Sequence, residues 1–535
     1  MNNADLIASR LHDAGVREAY GIPGGEVLSL VKGLNDAGIR FVLCKQENAG
    51  GFMAEGAHHA TGAPGVLVAT LGPGVANAVN VIANAQQDRV PVIFLTGCID
   101  PAEAASYTHQ IFDHGTVLKS VCKASFVLAD GAVDSLIDKA VAIALDDPPG
   151  PVHVDVPISL AAAVQTSRLP SRRVRPARGG GNDSPEFERA RRWLEQAERP
   201  LLIAGMEILN QECESALQNF VLETKIPLIT TYKAKGLLPE DHGLCLGAAG
   251  LSPKADKVLL PLIAASDCII LAGYDPIEMR AAWRNPWSAK QRVIEFSSLP
   301  NTHYMHQASL SFTGDIGAWL DALANSAPAT ELWPSGEVDA TKQSLARHFG
   351  PDREEWGAHA VIDVARKCLP RDTVATVDTG AHRILLNHKW HCYTPRTLIQ
   401  STGLCTMGCA LPMAIGYKRN APDVPVAAFM GDACLEMVLG EMVTLRDSQH
   451  PVILFVFVDA SLSLIELKQR AVGYENVGVD FPATDFAAVA NALGGVGVDV
   501  GSRADLAREI NDALGRDHYT LIACHIGRKA YDGAF

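Results

Sequence analysis

Short apolar runs separated by stretches of helical period recur along almost the whole chain. GVLVAT, PVIFLTG, PVHVDVP, RPLLIAG, CIILAGY, QRVIEFS, TVATVDTG, VAAFMGD, VILFVFVD and TLIACHI are rich in β-branched residues and carry little polar alternation. Runs of that kind predict strands buried on both faces, and therefore parallel sheets covered by helices on either side. The opening stretch, MNNADLIASRLHDAGV, spaces its apolar residues as an amphipathic helix does. Two segments break the rhythm. TSRLPSRRVRPARGGGNDS (166–184) is rich in Pro, Gly and Arg with no apolar period, which suits a linker. A softer break, NSAPATELWPSGEVDA, lies at 325–340. The expectation is an α/β protein of three doubly wound parallel-sheet domains, 1–165, 185–330 and 351–535, joined by linkers at 166–184 and 331–350. The first and last units share a strand–helix grammar.

A chain of 535 residues is too long for one domain and suits two to four. With 48% apolar and 20% charged residues the composition is that of a soluble globular protein. A formal charge of −14, with no dense Lys/Arg stripe, argues against a nucleic-acid partner. The N-terminus lacks a basic region followed by an apolar core, so no signal peptide is expected. No apolar run approaches the roughly 20 residues that cross a bilayer, so no membrane partner is expected either. The twelve cysteines are scattered without CxxC pairing. They read as reduced thiols of a cytoplasmic protein, not as a disulfide framework or a zinc site.

Candidate chemistry lies where strands end. VPVAAFMGDA runs into Gly431-Asp432-Ala433-Cys434 and then a stretch of helical period, CLEMVLGEMVTLRD. A strand entering a helix through small residues presents backbone N–H groups suited to a phosphate. Asp432 there is either a helix cap or one ligand of a hard divalent cation. A second strand, PVILFVFV, returns 27 residues later and delivers Asp459 beside it, because strands joined by a right-handed crossover are neighbours. Glu47 follows the strand-like FVLCKQ and opens a helix, where the dipole alone favours a carboxylate. LGPGVANAVN is a Gly-Pro-Gly turn before a small-residue helix. STGLCTMGCALPMAIGYK packs small residues around Met407, a side chain that also serves as plain core filler. In DTGAHRILLNH, Gly380, Ala381 and His382 follow the strand TVATVD.

Taken in order, seven landmarks make the chain similar, along essentially its whole length, to thiamine-diphosphate enzymes of the acetohydroxyacid/acetolactate synthase family. They are YGIPGG (20–25), the Glu47 segment, LGPG (71–74), PGPVHVDVP (149–157), KAKGLLPEDH (233–242), GLCTMG (403–408) and the GD…D pair. The resemblance implies a pyrimidine-binding domain, a central domain and a diphosphate-binding domain. It implies that Glu47 hydrogen-bonds the aminopyrimidine ring and so promotes the tautomer that activates the thiazolium carbon. Met407 would prop the cofactor into its bent shape, and Cys405 would offer a backbone carbonyl. Asp432, Asp459 and the Ser461 carbonyl would hold magnesium. Gly380, Ala381, His382 and Gly431 to Cys434 would lie along the diphosphate. Gln110, in THQIFDH, aligns with a family glutamine near the reacting centre. The family's site is shared between two chains, which implies a homodimer or homotetramer.

Departures from the pattern narrow the expectation. Gly-Asp-Ala replaces the usual Gly-Asp-Gly, and Asp459 replaces an asparagine. Aspartate there, like GYDPIE (273–278), is similar to the catabolic, FAD-independent branch. The arginine motif that accompanies the flavin in anabolic enzymes is missing, so no FAD is expected. Gly24, Gly25 and Glu26 align with a substrate-proximal loop, Lys468 with a side chain that helps select the second 2-oxo acid, and Leu464 and Ile465 with that side chain's apolar neighbours. The activity implied is decarboxylation of a 2-oxo acid followed by carboligation. Three other readings stand beside it: a decarboxylase that releases an aldehyde, a C–C lyase acting on a 2-hydroxyketone or diketone, and a cofactor-binding protein without chemistry. Pyruvate-type decarboxylases carry an adjacent His-His pair near a mobile loop; here His109 and His114 are separated, and His58-His59 fall in the helix after Glu47.

Overall fold

The structure is a computed structural model that describes residues 1–166, 169–170, 178–180, 183–326, 328, 331–350 and 355–535. Much of the linker expected at 166–184 lies outside these residues. Among the described residues the strands assemble into three six-stranded sheets, parallel throughout. The ten quoted apolar runs all form strands, and the most continuous of them, Ile453–Val458, is buried along its whole length. It lies between Val426–Gly431 and Thr520–His525 and needs no polar face, because helices cover both sides.

The first and third sheets run in the same order. Numbering strands within each domain, both read 2-1-3-4-6-5, while the central sheet reads 6-5-4-1-2-3. The shared strand–helix grammar of the two outer units is therefore a shared topology. In each outer sheet the direction of winding reverses between the first and third strands. These are Glu18–Ile22 and Gly65–Ala69 in one, Val374–Val377 and Val426–Gly431 in the other. Crevices at the carboxyl ends of such strands are where open α/β sheets bind ligands.

Two elements differ from expectation. The stretch after Asp432 is not one helix but two, Asp432–Glu436 and Glu441–Ser448. The break lets Glu441 accept the backbone N–H groups of Lys45 (2.8 Å) and Gln46 (3.1 Å) in the first domain. The stretch 331–350 carries a helix, Glu337–Phe349, which packs on Pro253–Ala265 of the central domain. The first and third domains meet chiefly through helices Glu47–Thr61 and Ala410–Asn420. All twelve cysteines are unpaired. No described helix is long and apolar enough to cross a membrane.

Candidate active site

Three adjacent strands of the third sheet run into aspartates: Val374–Val377 into Asp378, Val426–Gly431 into Asp432, and Ile453–Val458 into Asp459. Parallel strands point the same way, so the three carboxylates emerge side by side at one edge. Their exposures are 1%, 2% and 7%, so none can rely on water.

Asp432 Oδ2 accepts the backbone N–H groups of Asp459 (3.1 Å) and Ala460 (2.7 Å), and its Oδ1 accepts that of Ala433 (2.8 Å). The last bond is local, to the next residue, while the other two tie neighbouring strand ends together. Asp459 Oδ1 accepts the Ser461 N–H at 3.3 Å, and its Oδ2 accepts the Ser463 hydroxyl. These donors are all neutral. Burial, and after it the adjacent Asp432, push the Asp459 carboxyl up to about 7, against the Ser463 hydroxyl that favours its anion. Burial raises Asp432 as well. Two buried carboxylates with neutral donors form an all-oxygen set that suits a hard divalent cation.

Beside this pair, helix Ala381–Lys389 begins at Gly380. A Cβ at Gly380 would stand 2.6 Å from the His382 ring, and one at Gly431 would stand 3.4 Å from it. The missing side chains let the His382 ring lie against the backbone, most closely at Gly380. Thr379 Oγ1 and His382 Nε2 are buried there without a protein hydrogen-bond partner. His382 stacks on Phe457, and burial pushes its imidazole down to about 3, so it is neutral. Cys434 Sγ lies 3.3 Å from the Thr379 carbonyl. The unpartnered atoms at a helix N-terminus fit a diphosphate, and the paired carboxylates fit its cation.

Asp378 fastens the next loop. It accepts the N–H groups of Thr379 (2.8 Å), Gly408 (2.9 Å) and Ala410 (3.1 Å). The segment Gly403–Gly408 is thereby bent over the strand ends with Met407 half-buried in it. Cys405 stands at φ 55°, in the left-handed region that favours glycine, so it keeps a glycine's backbone path.

A second group gathers at the carboxyl edge of the first sheet. Glu47, 5% exposed, is the first residue of its helix, and its Oε2 accepts the Asn77 amide at 3.1 Å. A Cβ at Gly74 would stand 3.4 Å from Glu47 Oε1 and 3.3 Å from Thr70 Cγ2. The Thr70 hydroxyl donates to Glu26 Oε2 at 2.6 Å. A Cβ at Gly24 would overlap the same hydroxyl, and one at Gly72 would overlap the Gln110 carbonyl oxygen. Gly25 is exposed. The Gly72 N–H donates to His114 Nε2 (3.2 Å), whose Nδ1 pairs with Asp155 Oδ1 (2.8 Å).

Among the described residues, no hydrogen bond or ion pair joins Glu26, Glu47 or Gln110 to the group around Asp432. Leu464 is half-buried, while Ile465 and Lys468 are exposed on helix Ser463–Ala471, which buries none of its residues. That helix reaches the site through its first residue, Ser463.

Sequence reasoning passed over Asp378, Ser463, Thr70, Asn77 and the His114–Asp155 pair. Asp378 carries the same signal as its neighbours, an acid ending an apolar strand. Thr70 and Asn77 have no local signal, since only the fold brings them to carboxylates.

Comparison with known proteins agrees with this layout. Residues 1–117 match the "Thiamine pyrophosphate enzyme, N-terminal TPP binding domain", 187–323 its central domain and 378–524 its C-terminal TPP binding domain. The chain is 25% identical to acetolactate synthase of Bacillus subtilis (strain 168), over 97% of this chain and 92% of that one. It is 26% identical to the acetolactate synthase isozyme 1 large subunit of Escherichia coli (strain K12), over 98% and 93%. The acetolactate synthase large subunit of Corynebacterium glutamicum is 28% identical, over 96% and 85%.

Proposed function

The chain belongs to the thiamine pyrophosphate enzymes, and on that premise we propose that it decarboxylates a 2-oxo acid and ligates the remaining fragment to a second carbonyl compound, as acetolactate synthases do. The observation that carries the reading is the buried Asp432–Asp459 pair on one half-site together with buried Glu47 on the other. Thiamine diphosphate, when bound, supplies the carbon nucleophile and electron sink that such a decarboxylation needs.

In this reading Asp432, Asp459 and the Ser461 carbonyl hold Mg2+, and Gly380, Ala381, His382 and Gly431 to Cys434 line the diphosphate. Met407 and the Cys405 carbonyl would lie against the cofactor. Glu47, kept from water and oriented by Asn77, would hydrogen-bond the aminopyrimidine ring. Gln110, held against the Gly72 turn, faces substrate. Two copies are needed, because each chain supplies one half of each site; a dimer or tetramer follows. Asp459 and GYDPIE support a place on the FAD-independent, catabolic-type branch, with no flavin required. The unpaired thiols fit a cytoplasmic setting.

One observation favours a second reading, a decarboxylase that does not ligate. Glu26 sets a further carboxylate beside Glu47's end of the sheet, held by the Thr70 hydroxyl. A carboxylate there repels an incoming second 2-oxo acid and can instead orient a water that supplies the proton. The test is carbon dioxide release from a panel of 2-oxo acids with thiamine diphosphate and Mg2+, with products identified by NMR from pyruvate alone and with an aldehyde added. A ligated hydroxyketone or hydroxy-oxo acid supports the first reading, and free aldehyde alone the second. Glu47→Gln should slow release about 100-fold or more. Tight cofactor binding with no acid turned over removes both readings.

A further inference from the structure

The loop that carries Cys405 and Met407 belongs to the third domain, yet its first residues are held by the first. Helix Pro73–Gln87 carries Asn84 in its last turn and is capped by Asp88, and the two are 0% and 2% exposed. Asp88 Oδ1 accepts the Thr402 hydroxyl at 2.7 Å and the Gly403 N–H at 2.8 Å, and both its oxygens lie 3.2 Å from the Thr402 nitrogen. Lys233 of the central domain pairs with the same carboxylate at 3.1 Å. Asn84 Oδ1 accepts the Ser401 hydroxyl at 2.6 Å, and Ser401 Oγ in turn accepts the Thr406 N–H at 2.9 Å. Farther up the same helix, the Asn80 amide oxygen accepts the Thr406 hydroxyl at 3.2 Å. The bend between Ser401 and Thr406 is thus set from outside its own domain at both ends.

A buried carboxylate that collects this many donors is not a general adhesive between domains. Beside Lys233 and the Asn84 amide (3.3 Å), its donors are two consecutive loop residues in one fixed orientation, and Oδ1 alone takes both short bonds. A loop orientation that broke these bonds would leave a buried carboxylate short of partners, a costly condition. We propose that Asp88, seconded by Asn84, is a positioning residue that sets the Cys405–Met407 bend for the cofactor. This rests on the proposed function, because it takes that bend to be a wall of the cofactor site.

The test is calorimetric titration of thiamine diphosphate, with Mg2+ present, into the full-length protein and its variants, alongside thermal unfolding of the cofactor-free forms. Asp88→Asn keeps the size and removes the charge and one acceptor. Its dissociation constant for the cofactor should rise about tenfold or more. Should that variant fail to fold, Thr402→Val and Thr402→Ser decide the matter. The valine loses only the hydroxyl bond to Asp88 and should bind the cofactor several-fold more weakly, while the serine keeps that bond and should restore most of the affinity. A lower unfolding midpoint with cofactor affinity within twofold of wild type, in Asp88→Asn and Thr402→Val alike, would mean that Asp88 merely joins domains, and overturns the proposal. Absence of cofactor binding by the wild-type protein itself overturns the functional reading and this one with it.

Discussion

Asp459 is a residue whose surroundings favour a cation beside it. Burial and a neighbouring carboxylate raise it to about 7, and the donors that hydrogen-bond it are neutral. A cation shared with Asp432 relieves both at once. Asp459→Ala should therefore weaken Mg2+-dependent binding of thiamine diphosphate at least tenfold, whereas Asp459→Asn, which keeps an oxygen ligand, should stay within about threefold. Titration of the cofactor at fixed Mg2+ reads the difference, and unchanged affinity in the alanine variant takes the residue out of the site. Asp432 and Asp459 were legible as a pair because an acid ending an apolar strand is unusual and βαβ spacing makes two such acids neighbours. Their bonds to Ala433, Ala460 and Ser463 were not, since those depend on how two loops cross. Cys405 was legible as a change of residue type but not of shape; only the backbone shows that it keeps a φ of 55°. Lys468 was aligned with a selecting side chain, and in the single chain it is exposed.

At the scale of elements, the long apolar strands were plain because continuous runs of Val, Ile and Phe leave little but a doubly covered parallel strand. Short edge strands such as Leu310–Thr313 and Leu398–Gln400 were not, because few residues and one neighbour leave no pattern. The two-helix break after Asp432 was hidden for a different reason. CLEMVLGEMVTLRD keeps helical period throughout, and the break answers to Glu441 reaching Lys45 and Gln46 in another domain. The packing of Glu47–Thr61 on Ala410–Asn420 depends on glycine on both sides. A Cβ at Gly416 would overlap the Met53 carbonyl oxygen, and one at Gly56 would overlap the Met413 carbonyl oxygen. Alanine is the better helix former by about 1 kcal/mol, so an effect of the opposite sign isolates packing. Gly416→Ala should destabilise the protein by roughly 1–3 kcal/mol through forced separation of the two helices. Denaturant unfolding measures it, and a stabilised variant would show that the helices do not approach this closely.

For the whole molecule, Glu47 and Asp432 follow strands of two different sheets with the same strand order, and the proposed function makes them parts of one site shared between two copies. Duplicate topology places the glutamate group and the aspartate group at equivalent edges, and in the proposed dimer the glutamate edge of one copy closes over the aspartate edge of the other. The sequence could show that both groups exist. It could not show whether they meet within one chain or between two, because that depends on how the domains are set against one another. The arrangement has a consequence that no single-chain site shares. Glu47→Gln and Asp432→Ala should each be nearly inactive alone. When the two are unfolded together in equal amounts and refolded, half of the dimers formed at random are mixed. Each mixed dimer has one site with both residues intact and one with neither, so about a quarter of wild-type activity should return. Recovery is read as carbon dioxide release against a wild-type control taken through the same refolding. If the control regains activity and the mixture does not, Glu47 and Asp432 serve the same site within one chain, and the shared-site dimer falls.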